Sequence, residues 1–82
     1  MNAAQVLRRM ALGFIANCSN ESGREVWRIE DADGNMAAVG SSITVLKDRG
    51  HAWTHRPSRG GSAGITDEGK AAARARGWEV RS

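Results

Sequence analysis

Residues 46–70 read LKDRGHAWTHRPSRGGSAGITDEGK, and the folding of this stretch decides what the remainder of the chain can be. Gly50 stands where a short helix has to stop, because glycine readily takes the left-handed conformation that closes a helix. Beyond it the pattern predicts strand, turn, strand: Ala52–His55, a loop centred on Pro57 to Gly61, then Ala63–Ile65. Thr66 is placed to cap a last helix. Asp67 and Glu68 fall in its first turn and Lys70, Arg74 and Arg76 towards its end, the signs that suit the helix dipole. Gly77 ends that helix and leaves Trp78 and Val80 with apolar surface to bury.

Working towards the N-terminus, SSITVLKDRG after Gly40 predicts a compact helix that Ser41 or Ser42 can cap. Ile43 and Leu46 share one face, joined by Val39, while Ser41, Thr44, Val45 and Asp48 fall on the other. In REVWRIEDADGNMAAVG, Trp27 and Ile29 alternate with Arg28 and Glu30. An Asp-Gly turn follows, and Met36 to Val39 can return as a second strand. This predicts a short hairpin, with a helix over 35–39 as the alternative. The first segment, residues 2–18, repeats apolar residues at Ala3, Leu7, Met10, Phe14 and Cys18, which predicts one amphipathic helix capped by Asn2 and broken by SNESG at 19–23. The expected fold class is α+β, as a single domain over residues 1–82.

At 82 residues the chain is near the lower limit for one hydrophobic core. Alanine makes up much of its 40% apolar content, so Phe14, three tryptophans and a few aliphatic residues must supply the burial. This leaves open a monomer or a homodimer that completes the core. The single Cys18 cannot form an internal disulfide, and MNAAQVLRRMALGFIANC is too short to span a membrane and carries two arginines. A cytoplasmic protein that does not engage membranes is expected. Charge is unevenly spread. Residues 21–35 contain Glu21, Glu25, Glu30, Asp31 and Asp33, whereas Lys47, Arg49, Arg56, Arg59, Lys70, Arg74, Arg76 and Arg81 lie in 47–82. With a net charge of +3, a basic C-terminal half can face anionic partners or simply be a solvated surface.

The order helix, strand, short helix, glycine, strand, basic loop, strand and ITDEGKAAA resembles a winged helix-turn-helix domain. SSITVLKDRGHA looks like the end of a recognition helix. GITDEGKAAARA looks like the strand-to-helix junction after the wing in MarR-like regulators, where Ile65 closes the wing strand onto the core, Thr66 caps the helix and Gly69 allows close packing. Together the two stretches cover about residues 39–76. A fainter likeness is to small YjhX-type bacterial proteins, which also place an Asp/Gly hairpin before such a helix.

The resemblance implies a small winged-helix-like domain: N-terminal helix, β-hairpin, short recognition-type helix, β-wing and C-terminal helix. It further implies binding to double-stranded DNA as a bacterial or phage-type transcriptional regulator, with the helix in the major groove and the wing on the flanking backbone. Carried over residue by residue, Ser41, Ser42, Thr44 and Lys47 would meet DNA from the helix, and Arg56, Ser58 and Arg59 from the wing tip. Arginines beside glycine at a loop tip suit phosphate contact because the guanidinium is long, charged and forked. Asp48 on the same face would repel phosphates, and Val45 suits a thymine methyl or a protein. EVWRIEDADGNMAAVG is a poor positioning helix. The alternative expectation is therefore the same scaffold binding another protein, as a small phage-type inhibitor or adaptor.

No catalytic constellation, cofactor motif or metal site is expected. His51 and His55 are four residues apart on a strand, too far for one ion. RGGSAG lacks the Lys-Ser/Thr and strand-to-helix setting of a phosphate-binding loop. Trp27, Trp53 and Trp78 are read as core or core-edge residues, and Cys18 as a small buried hydrophobe on the first helix.

Overall fold

Eight elements follow one another in the computed structural model, which describes residues 1–81. They are α1 (Ala3–Ala11), β1 (Ala16–Glu21), β2 (Arg24–Glu30), β3 (Met36–Ala38), α2 (Ser42–Asp48), β4 (Ala52–His55), β5 (Gly61–Ile65) and α3 (Asp67–Ala75). The fold is α+β, with three helices and one five-stranded antiparallel sheet of order β3-β2-β1-β5-β4. Among the described residues no helix is long and apolar enough to cross a membrane.

The first helix departs from expectation. Asn2 caps it through a reciprocal pair of bonds with Gln5, but it stops at Ala11 rather than reaching residue 18. Gly13, at φ +99°, turns the chain, and Phe14 folds back beneath the Arg9 guanidinium, 4.1 Å from its ring centre. Residues 16–21 then run as the central strand. Asn17, Ser19 and Asn20 are weak helix formers and stay exposed, while Ala16 and Cys18 turn inwards. Cys18 is buried as expected, but from a strand.

The expected hairpin is accordingly one half of a three-stranded meander. Its second connection forms where the Asp-Gly signal lies. The Asp31 carboxylate accepts the backbone N–H groups of Asp33 and Asn35, both at 2.9 Å, and Gly34 takes φ +83°. Met36–Ala38 returns as β3, so the helical alternative for this segment is not adopted. β4, β5 and the last two helices lie within a residue or two of their expected places, but β5 also pairs with β1, so the expected two-stranded wing is part of the one five-stranded sheet.

Alternation along the strands sorts the sheet into two faces. The inner face contributes Ala16, Ile29, Ala52 and Ala63 to the core, with Val39 just beyond β3; Val6, Leu7 and Met10 of α1 and Ile43 and Leu46 of α2 complete it. Met10, Ile29, Leu46 and Val6 are the largest fully buried side chains. Burial of each contributes about 1.5–3 kcal/mol. Trp27 and Trp78 lie at the core edge as expected. The guanidinium groups of Arg8 and Arg76 both lie over the Trp78 ring, 5.6 and 4.9 Å from its centre. Trp53 is not a core residue. It lies on the opposite, uncovered face and is 41% exposed.

Candidate interaction surface

The end of the molecule where α2 meets the β4–β5 hairpin is built around one junction. Gly50, at φ +76°, ends α2, and its carbonyl accepts the Thr66 hydroxyl at 2.5 Å. The Thr66 oxygen also accepts the Gly69 N–H at 3.0 Å, capping α3. The Thr66 N–H donates to the His51 carbonyl at 3.0 Å. One threonine thus ties the end of α2, the start of β4 and the start of α3 together. It thereby fixes α2 and α3 against the β5–β4 edge of the sheet.

The seven residues expected to meet a partner divide into two groups. Ser41, Thr44 and Lys47 are exposed on α2, and Arg56, Ser58 and Arg59 are exposed on the finger. Ser42 is a correction: it is 7% exposed, and its hydroxyl donates to the Met1 carbonyl at 3.2 Å. The helical period turns it towards the core side, beside Ile43 and Leu46, so it has no surface to offer. Ser41 occupies the N-cap position, but its side chain makes no capping bond.

Thr44 and Lys47 are brought together with Arg56 across a shallow groove, which Glu25, Trp27 and Asp48 also line. The route of Arg56 has a local cause. Gly61 is paired with Cys18 in the ladder between β1 and β5 and has no side chain to obstruct the inner face. The Arg56 Cγ lies 3.6 Å from where a Gly61 Cβ would stand. The arginine stem crosses at this point, and its guanidinium forms an ion pair with Glu25 of β2. Both partners remain about half exposed. Arg59 differs: among the described residues it has no ion-pair partner.

Glu25, Trp27 and Thr54 complete the groove, and none of them was among the residues expected to meet a partner. The signal for Glu25 would have been its two-residue spacing from Trp27, which puts both on one face of β2. A second, larger recess lies between the 56–60 loop and the β1–β2 pair and is lined by Cys18, Asn20, Glu25, Arg56 and Arg59. His51 and His55 lie just before and at the end of β4. Among the described residues no three His, Cys, Asp or Glu side chains come together as a metal ion requires.

The outer sheet face holds a separate charged pair. Arg28 forms an ion pair with Glu21, and its second guanidinium nitrogen donates to the other carboxylate oxygen at 3.1 Å. The Ser19 hydroxyl donates to the same carboxylate at 2.8 Å. The Arg28 hydrogen bond, aided by Ser19, lowers the Glu21 pKa to about 2, and Glu21 in turn raises that of Arg28.

Compared with family models, curated proteins and solved structures, the chain gives no match, so the functional reading rests on its own geometry.

Proposed function

We propose that this chain is a binding module whose α2–wing groove receives a segment of another protein bearing both acidic and basic side chains. The observation that carries this reading is the charge balance of the groove: Lys47 and Arg56 stand against Glu25 and Asp48, with Arg56 and Glu25 already joined. The charges that duplex DNA presents are all phosphates, and each carboxylate facing it opposes binding. A polypeptide can present charges of both signs and match the pattern. The chain order α2, Gly50, β4, β5, α3 is that of a wing with its flanking helices, which supports a winged-helix-derived scaffold. The β1–β3 meander stands where a positioning helix would precede a recognition helix. One free thiol and no internal disulfide fit a reducing compartment such as the cytoplasm.

A photo-crosslinking residue at Thr44 is expected to give a discrete protein adduct in cells, and the same residue at Ala71, exposed on α3, is expected not to. Random duplex DNA is expected not to be retained at low salt. Retention that weakens steeply with salt, with the slope reduced by about one unit per lost phosphate contact in the Arg56→Ala and Arg59→Ala chains, overturns this reading.

A second reading, double-stranded DNA binding by a bacterial or phage-type regulator, is favoured by one observation. Arg59 is exposed at the finger tip between Ser58 and Gly60 and has no ion-pair partner among the described residues. Under that reading Glu25→Gln strengthens DNA binding, because it removes a carboxylate from the groove and releases Arg56.

A further inference from the structure

The uncovered sheet face has an ordered composition. Of the four exposed large hydrophobic residues among those described, three lie on it: Met36, 54% exposed, Ile15, 44%, and Trp53, 41%. The ladders place them in one row. Met36 pairs with Glu30, and Trp53 pairs with Gly64. Continuing the β1 ladders from Asn17–Arg28 and Ala16–Ala63 sets Ile15 between Glu30 and Gly64. The row therefore reads Met36, Glu30, Ile15, Gly64, Trp53 across all five strands. The indole of Trp53 lies against Gly64, its Cζ2 2.5 Å from where a Cβ would stand. The neighbouring row is Ala38, Arg28, Asn17, Ser62, His55.

We propose that this face is where a second copy of the chain docks, across a two-fold axis that runs along β1 over Ile15. Three features select that occupant. First, the row is centred on the middle strand, so rotation about β1 returns it onto itself. Ile15 then meets the partner's Ile15, and Met36 meets the partner's Trp53, a favourable sulfur–aromatic contact. Second, within these two rows no like charges meet, and Glu21 further along β1, which faces the partner's Glu21 across the axis, is neutralised by its own ion pair with Arg28. Glu30 opposes the partner's Gly64, Arg28 opposes the partner's Ser62, and His55 opposes the partner's Ala38. Third, the apolar row offers a nucleic acid no cation: its one charged side chain is Glu30, and Arg28 in the next row is engaged by Glu21.

The face is small. Strands of three to seven residues, rising about 3.3 Å per residue and about 4.8 Å apart, present about 400 Å² in projection, which is the size of a weak, transient interface. The dimer is accordingly weak and concentration-dependent.

Sedimentation equilibrium over a concentration series tests this. The weight-average mass is expected to rise from 8.8 kDa towards twice that value. The Ile15→Glu chain alone and the Ile15→Lys chain alone are each expected to stay monomeric, since position 15 meets itself. An equal mixture of the two is expected to regain the dimer. Met36→Lys, on an edge strand, weakens association independently should the Ile15 variants fold poorly. A mass that stays monomeric to about 1 mM overturns the proposal. So does dimerisation of both single variants, or a mixture that remains monomeric. Quenching of tryptophan fluorescence by a single-stranded oligonucleotide, abolished by Trp53→Ala, assigns the face to nucleic acid instead.

Discussion

Gly69 of α3 packs against the carbonyl group of His51 so closely that a Cβ has no place between them. The Ile65 Cγ1 closes the remaining side, 2.7 Å from the same point. Alanine in an unobstructed helix would add about 0.5–1 kcal/mol of stability over glycine. In this position Gly69→Ala is expected to destabilise the fold by about 1–3 kcal/mol, because the Thr66 bonds hold helix and strand too tightly to part. Urea unfolding followed by circular dichroism measures it, and a more stable Gly69→Ala chain would contradict the packing described.

Asn2 and Gln5 exchange two bonds at 2.8 and 2.9 Å and so satisfy two otherwise unpaired N–H groups at the start of α1. Asn2→Ala is expected to cost about 1 kcal/mol, and Asn2→Gly only a few tenths. The order of the two thermal midpoints is the check.

Ile29 is fully buried at the centre of the inner face, whereas Ile15 is 44% exposed. Ile29→Ala is expected to cost about 2–5 kcal/mol. In a domain this small that is enough to collapse amide dispersion in an NMR spectrum. Ile15→Ala, studied at concentrations where the chain is monomeric, is expected to leave the spectrum and the midpoint nearly unchanged.

Glu21 titrates at about 2 against an ordinary 4.5, chiefly through its hydrogen bond with Arg28. A carboxyl group depressed in the folded state adds stability above its unfolded pKa, and that contribution disappears as pH falls from about 4.5 to about 2. Arg28→Gln is expected to return the Glu21 midpoint towards the ordinary value, as read from its side-chain carbon shift. The pair is solvent-exposed, so salt weakens the effect.

Much of the C-terminal half was legible because its signals are local. Gly50, Thr66 and Gly69 each specify a conformation or a close approach within a few residues, and the structure places all three in the expected roles. The N-terminal half misled because two periods coincide. Met10, Phe14 and Cys18 are spaced as on a helix, yet Phe14, Ala16 and Cys18 are equally spaced as on a strand. Gly13 and the polar run Asn17, Ser19, Asn20 decide in favour of the strand, and their weight lies in what they cannot do within a helix. The pairing of Arg56 with Glu25 was illegible for a related reason. It requires β1 and β5 to lie between their strands and Gly61 to clear the way, neither of which is visible before the sheet order is known. The exposure of Trp53 likewise depends on its cross-strand neighbour, Gly64.

The central strand also bears on how quickly this chain folds. β1 joins β2 through a turn of two residues, but it meets β5 only after more than forty intervening residues, and by three pairs: Ala16–Ala63, Asn17–Ser62 and Cys18–Gly61. Each hairpin can zip up locally within microseconds, whereas this seam must first overcome the entropy of closing a long loop. Its formation is expected to be the slow step, so a destabilising substitution at Ala63 should retard refolding rather than hasten unfolding, as stopped-flow refolding and unfolding rates would show.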